Sequence, residues 1–129
     1  MAGTFKFELV SPERVVFSED AEQVVVPGRD GDFAVLVGHA PVISTLRPGV
    51  LDVTLPGSRK RVFVKGGFAD VDQTRLTVLA QSALDLDGLS ADTVAREIEA
   101  AEADLAAATG DQSRMVAAEL VEQLRALQK

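Results

Sequence analysis

The chain has 129 residues, a length typical of one compact domain or of a domain with an appendage. It carries 13 Lys+Arg against 20 Asp+Glu, a net charge of −7, and no Trp or Tyr, so no nucleic-acid partner is expected. The absence of Cys excludes disulfides, thiol nucleophiles and Cys-ligated metal sites. The first 20 residues lack the apolar core of a secretory leader, and no later run approaches the roughly 18 apolar residues of a membrane span. We therefore expect a soluble, cytoplasmic protein without direct membrane insertion.

The first 88 residues predict a β-sandwich. Residues 5–9 alternate apolar side chains with Lys6 and Glu8, the two-residue period of a half-buried strand. Further β-branched or aromatic runs are separated by turn pairs such as Pro56-Gly57, and the connections are too short for helical crossovers. The predicted fold class is mainly β, an antiparallel sandwich or flattened barrel, with a helical appendage. The predicted strands span residues 5–10, 15–17, 24–26, 33–37, 50–55, 61–65, 68–71 and 76–80.

The remaining residues predict a helical hairpin, because they contain no Pro, a single Gly and many Ala. Ser90 is the predicted N-cap of the first helix, and Thr109-Gly110-Asp111 is predicted to end it and begin the second. We therefore predict one domain over residues 1–88 and a second, weakly attached and mobile, over residues 89–129. The predicted apolar stripes are Val94, Ile98, Ala101, Leu105 and Ala108 in the first helix, and Val116, Leu120, Leu124 and Leu127, flanked by Met115, Ala117 and Val121, in the second.

Reactive residues are scarce in this chain. His39 is the only histidine, so a Ser-His-Asp triad would have to run through it, with Ser44 and Asp52 as the nearby candidates. No G-x-S-x-G elbow is present, and His39 is better explained as a turn or interface residue. The acidic segments 30–32 and 85–88 lack the ligand ladder of a calcium loop, and no P-loop occurs. The sequence therefore predicts no catalytic residue, no metal site and no cofactor.

Residues 26–41 concentrate turn residues, an acidic tip and His39 between two predicted strands. Such a concentration of special backbone residues marks either a demanding bend or a docking edge. The residues themselves leave both interpretations open.

Five segments follow one another in a specific order and spacing, before the Ala-rich helical pair. They are Val26-Pro27-Gly28, Gly31-Asp32-Phe33, Gly38-His39-Ala40-Pro41, Arg47-Pro48-Gly49 and Gly66-Gly67-Phe68-Ala69-Asp70-Val71. Over the whole chain this arrangement resembles the epsilon subunit of the bacterial F-type rotary ATP synthase, which is called delta in mitochondria. The resemblance implies a non-catalytic central-stalk subunit that couples proton-driven rotation of the membrane c ring to the gamma subunit and to ATP synthesis. It also implies a peripheral position on the cytoplasmic face of the bacterial inner membrane.

The same resemblance assigns two surfaces. The loop that faces the c ring corresponds to Gly28, Arg29, Asp30, Gly31 and Asp32, and Asp32 occupies its acidic position, where pairing with basic ring residues is chemically sensible. The candidates for the gamma interface are His39, Ser44 and Leu46.

In some family members the C-terminal helices extend along gamma and block rotation, or bind ATP. Residues 89–129 have a net charge of −4, whereas the inhibitory relatives carry basic residues that face an acidic loop of the catalytic subunits. We therefore expect weak inhibition and at most a transient contact with the alpha and beta subunits. Arg96 is the single base of the first helix, which predicts no tight nucleotide site. The acids are Asp92, Glu97, Glu99, Glu102, Asp104, Asp111, Glu119 and Glu122, and the bases are Arg96, Arg114, Arg125 and Lys129.

Two other interpretations remain. One is a stand-alone β-sandwich adaptor or ligand-binding regulatory module, which would not co-purify with gamma. The other is hydrolase chemistry through His39, which would be lost in His39→Ala.

Overall fold

A computed structural model of the chain describes residues 3–88 and 90–127. It divides into two units, Met1–Asp87 and Gly88–Lys129, and Leu89, at the predicted boundary, lies outside the described residues. The predicted fold class, a β-sandwich followed by two helices, is confirmed. The strands are β1 (Phe5–Val10), β2 (Val15–Ala21), β3 (Gln23–Gly28), β4 (Gly31–Val35), β5 (Val42–Leu46), β6 (Gly49–Leu55), β7 (Ser58–Val64), β8 (Gly67–Val71), β9 (Arg75–Ala80) and β10 (Ala83–Asp85). A short 3-10 helix, Leu86–Gly88, follows them.

Nine strands form one path of hydrogen-bonded neighbours, β10-β7-β6-β3-β5-β8-β9-β1-β2, and β4 pairs with β3. Neighbours are antiparallel except β1 and β9, which run parallel from the pair Lys6↔Arg75 to the pair Val10↔Leu79. The sheet departs from the predicted antiparallel pairing here because β1 and β9 are distant in sequence and no hairpin joins them. The junction between β3 and β5 is a single antiparallel pair, Gly28↔Leu46.

The core of the sandwich is one cluster of side chains from strands β1 to β9, mostly at alternate positions. Phe7 lies at its centre with no exposed surface, and its ring centroid is 5.7 Å from that of Phe17. The buried members are Phe5, Phe7, Leu9, Ala21, Val24, Val26, Val35, Leu46, Leu51, Val53, Val62, Val64, Ala69, Val71, Leu76, Val78 and Ala80.

Several strand limits differ from the prediction. The sequence does not predict β5, because its adjacent apolar pair and adjacent polar pair break the two-residue period, nor β10, which has three residues. Strand β2 continues through the polar residues 18–20 because that whole segment pairs with β1. Strand β4 ends at Val35, and the exposed Leu36 and Val37 follow it in a loop.

The second unit contains helices α1 (Ala91–Ala107) and α2 (Asp111–Ala126), which pack against each other. Ser90 caps α1 as predicted, because its Oγ accepts a hydrogen bond of 3.1 Å from the backbone N–H of Thr93. The predicted break also occurs, with Gly110 at φ 90° before α2. The predicted stripe of α1 is buried at its first three positions and half-buried at Leu105 and Ala108.

The apolar stripe of α2 is rotated relative to the prediction. Val121 and Leu124 are buried, whereas Val116 and Met115 are exposed, Met115 by 69%. Ala117, Leu120 and Leu127 are half-buried, so the burial follows the Ala117 side of the helix. A stripe drawn through Val116 or through Ala117 has the same helical spacing, and the sequence alone does not choose between them.

Candidate functional site

The tip of the β3–β4 hairpin is formed by the five residues assigned to the c-ring loop. Arg29 and Asp30 are the exposed turn residues between the paired Gly28 and Gly31. A Cβ on Gly28 would lie 2.8 Å from the Gly31 carbonyl oxygen and 2.9 Å from the Phe33 ring, so this position requires glycine. Gly31 has φ 137°, a conformation that L side chains rarely adopt. The tip is therefore a narrow turn with a defined shape.

Contacts from the β5–β6 corner hold this tip. The backbone N–H of Arg29 donates to the Thr45 carbonyl at 2.9 Å, and the N–H of Arg47 donates to the Pro27 carbonyl at 3.1 Å. The Arg47 guanidinium donates to the Gly28 carbonyl at 2.7 Å and to Asp32 Oδ1 at 2.6 Å. Asp32, which is predicted to pair with a basic residue of the ring, therefore already has a cation from its own chain.

An open depression of about 420 Å³ lies beside the tip. His39 lines it, with Nδ1 2.7 Å from the Ala40 carbonyl oxygen and its ring 6.2 Å from that of Phe33. Because a carbonyl oxygen only accepts hydrogen bonds, Nδ1 carries the proton in this contact. The structure thus brings His39 and Ser44 together with the loop residues Gly28, Asp30, Gly31 and Asp32 around one depression.

The three residues of the hypothetical triad have other partners. Ser44 Oγ donates to the Thr45 carbonyl at 3.0 Å. Asp52 receives two hydrogen bonds from the Arg59 guanidinium, one of 2.8 Å from Nε, and this pairing holds the pKa of the Asp52 carboxyl below its usual value. These contacts give no support to hydrolase chemistry through His39.

Leu46, the third candidate for the gamma interface, is 5% exposed and belongs to the sandwich core. Its side chain points to the opposite face of β5 from Ile43 and Thr45. Leu46 is therefore in the right strand for an interface residue, but its side chain faces inward.

A row of exposed apolar side chains crosses the outer face of the sheet. By register, Phe68 of β8 pairs with Leu79 of β9, Leu79 pairs with Val10 of β1, and Val10 pairs with Val15 of β2. Ile43 of β5 lies on the same face, two residues from Thr45, which pairs with Phe68. Ile43, Phe68, Leu79 and Val15 are 73%, 52%, 49% and 57% exposed. We call these four exposed residues together with the half-buried Val10 the apolar face: Val10, Val15, Ile43, Phe68 and Leu79.

The apolar face is not among the surfaces predicted from the sequence. The signal was available in β8 and β9, where Phe68 and Leu79 occupy the face opposite to the buried Ala69 and Val78. A strand of an antiparallel sheet with one solvated face normally alternates apolar with polar residues, so an apolar residue on both faces indicates a covered surface.

The two helices carry the candidate base for a nucleotide phosphate and an ion pair. Arg96, the candidate base for a nucleotide phosphate, is exposed on α1, as are Asp92 and Glu99. Arg125 of α2 forms an ion pair with Glu102 of α1. Within the described residues, neither helix is long and apolar enough to cross a bilayer.

Comparison with known proteins identifies the family. The family model for the beta-sandwich domain of the ATP synthase delta/epsilon chain matches residues 4–85. The ATP synthase epsilon chain of Parvibaculum lavamentivorans is 47% identical over 128 residues, covering 98% of this chain and 97% of that protein. The epsilon chain of Rhodospirillum rubrum is 50% identical over 120 residues, covering 92% and 90%. A chain in the cryo-EM structure of the Euglena gracilis mitochondrial ATP synthase has the same fold, with a TM-score of 0.75 at 23% identity over 95% of this chain and 80% of that chain. From the family match and these close relatives, the chain belongs to the ATP synthase delta/epsilon chain family.

Proposed function

We propose that this chain is a central-stalk rotor subunit of an F-type ATP synthase, peripheral to the cytoplasmic face of the membrane. It transmits proton-driven rotation of the c ring to the gamma subunit and makes or breaks no bond itself. The close relatives named above are ATP synthase epsilon chains, and the structure with the same fold is that of an ATP synthase. The observation that carries the proposal is the apolar face, whose side chains are largely open to solvent. The hairpin tip on the same sheet is held by hydrogen bonds from Arg47.

The apolar face is the surface that we assign to gamma. Burying a large apolar side chain contributes roughly 1.5–3 kcal/mol, so covering Ile43, Phe68 and Leu79, each about half exposed or more, would stabilise a complex by several kcal/mol. Asp70 pairs with Ile43 at the margin and supplies part of a polar rim. His39 and Ser44 stay candidates for the interface, and Leu46 would act only by fixing the position of β5.

The hairpin tip is the surface that we assign to the polar loops of the c ring. Asp30 and Arg29 project from the turn, whereas the charge of Asp32 is balanced by Arg47. An exposed ion pair contributes only about 0–1 kcal/mol, so these contacts would fix the register between tip and ring more than they would add affinity.

The helical hairpin is proposed to inhibit weakly and to bind nucleotide poorly. Its net charge of −4 opposes insertion beside acidic surfaces of the alpha and beta subunits. One of its bases, Arg125, is already paired with Glu102. Neither inhibition nor ATP binding is therefore central to the function that we propose.

Co-purification with a matched gamma subunit tests the assignment of the apolar face. We expect Ile43→Lys to weaken gamma binding by at least about tenfold, because an ammonium would lose its hydration in an apolar interface. Lys at this position faces Asp70 across the strands, so the variant should fold normally. The matched control is Met115→Lys, which places the same charge at an exposed apolar position of α2 and should leave gamma binding unchanged.

Two outcomes would count against the proposal. If Ile43→Lys binds gamma as tightly as the natural chain does, the apolar face is not the interface. If the natural chain itself does not bind gamma, a stand-alone adaptor becomes the better interpretation. His39→Glu and Ser44→Glu extend the test to the rim, whereas Leu46→Glu is uninformative because it would place a charge in the core.

A further inference from the structure

Arg47 links the corner between β5 and β6 to the β3–β4 hairpin. It follows β5 directly, at the corner where the chain turns into β6, and its side chain is 27% exposed. Its guanidinium reaches the last residue of β3 through the Gly28 carbonyl and the second residue of β4 through Asp32 Oδ1. A planar guanidinium has several donors in a fixed fork, so it can hold a carbonyl and a carboxylate at the same time, which a lysine ammonium does less well.

The hairpin tip needs such a link because it projects from the edge of the sheet. Among the described residues, β4 pairs with β3 alone, so its other side has no neighbouring strand to resist bending. Strand β3 itself meets β5 at a single pair, Gly28↔Leu46. The corner also approaches β3 closely, since a Cβ on Gly49 would lie 2.9 Å from Pro27 Cβ.

We propose that Arg47 is a positioning residue that makes the hairpin tip and strand β5 one mechanical unit. This inference rests on the proposed function, in which the tip meets the ring and β5 carries Ile43 of the apolar face toward gamma. A sideways force on the tip then passes through the guanidinium and the two backbone bonds into β5. Asp32 serves this internal link, and Asp30 is the acid that the tip presents to the ring.

Hydrogen exchange on the full chain tests the link without any partner. The reporter is the amide of Arg29, which donates to the Thr45 carbonyl across the junction. We expect Arg47→Met to accelerate exchange at Arg29 by about tenfold, while the core strand β9 exchanges at its original rate. Arg47→Lys should restore part of the protection, and Asp32→Asn should have a smaller effect, because the bond to Gly28 remains.

The chain offers a matched control. Arg59 of β7 makes the same kind of arginine–aspartate pair with Asp52 of β6, away from the tip. Arg59→Met removes an arginine–aspartate ion pair elsewhere in the sandwich and should leave exchange at Arg29 unchanged. If Arg47→Met also leaves exchange at Arg29 unchanged, or if Arg59→Met accelerates it equally, Arg47 does not position the tip.

The assembled ATP synthase supplies the functional measurement. We expect Arg47→Met to bind gamma as the natural chain does but to lower the number of protons pumped per ATP hydrolysed, whereas Arg59→Met changes neither. Faster exchange at Arg29 with unchanged pumping would overturn the mechanical role. Failure of the natural chain to bind gamma would overturn the proposed function instead, and the exchange experiment on the isolated chain would still decide whether Arg47 holds the tip.

Discussion

The sandwich and the helical hairpin bury very different amounts of apolar surface. Seventeen buried apolar residues form the cluster of the sandwich, and the two helices contribute five, Val94, Ile98, Ala101, Val121 and Leu124. Since stabilisation grows with the apolar area removed from water, the sandwich has the larger reserve of stability. We therefore expect surfaces that must keep their shape under load to lie on the sandwich, and both proposed interfaces lie there.

Opening a cavity in each unit tests this difference in stability and has the largest expected effect. Phe7 and Leu124 are both completely buried, one in each unit. We expect Phe7→Ala to lower the free energy of unfolding of the sandwich by about 3–5 kcal/mol, because it removes a large ring and its contact with Phe17. Leu124→Ala should destabilise the hairpin by about 2–5 kcal/mol and leave the strands protected. Urea unfolding combined with hydrogen exchange measures both.

Equal acceleration of exchange by Leu124→Ala in β1 and β9 and in α1 and α2 would contradict the expected difference in stability between the two units. The two units would then unfold together, and the predicted mobility of the hairpin would be wrong. Leu105→Ala, at a half-buried position of α1, is the control for the loss of a leucine without a large cavity.

Local patterns in the sequence predicted much of this fold. The alternation over residues 5–9 predicted β1 with its observed limits, because a strand half buried in a core imposes a period of two. Ser90 predicted the start of α1, because its hydroxyl satisfies an N–H that the helix leaves unpaired. The absence of Pro and the presence of only one Gly after residue 88 predict the helices.

The remaining features depend on distant parts of the chain. Nothing local indicates that β1 pairs with β9 in parallel, or that Asp32 meets Arg47 fifteen residues later. The sequence does not predict strand β5 because Ile43 is an apolar residue that faces solvent. A partner surface would explain this exposure, whereas a solvated strand would not. The sequence therefore predicts elements better than surfaces, since a surface gathers residues from several strands.

A smaller effect is expected at the edge where the sandwich ends. Lys60 lies 2.8 Å from Asp85 and 3.9 Å from Asp87, and its ammonium is 5.5 Å from the Phe17 ring centroid. The hydrogen bond from Lys60 lowers the pKa of the Asp85 carboxyl, and the same bond raises the pKa of Lys60. Because Asp85 is 53% exposed, we expect the pair to contribute only about 0.5–1 kcal/mol at low salt.

The two pKa shifts fix the pH dependence of this contribution. A carboxyl with a lowered folded pKa stabilises the protein above its unfolded pKa, near 4, and this stabilisation is lost as pH falls through the folded pKa. For Lys60, whose folded pKa is raised, the stabilisation is present below about pH 10 and is lost above it. A double-mutant cycle of Lys60→Met and Asp85→Asn should show coupling at pH 7 that disappears at pH 2. Equal coupling at both values would contradict the assignment.

The smallest effect is expected from removing the hairpin. We expect complexes that carry a chain without residues 89–129 to hydrolyse ATP at the same rate as complexes with the full chain. The exposed acids Asp92, Glu99 and Asp104 of α1 would meet acidic surfaces of the catalytic subunits unfavourably if the arm extended. A chain with these three acids changed to Lys is the informative counterpart, because it should inhibit where the natural arm does not. Two results would contradict this expectation: a strong rise in the ATPase rate on deletion, and no added inhibition by the lysine variant. Together they would show that the arm inhibits through contacts other than charge. The hairpin, despite its small core, would then be the regulatory half of the molecule.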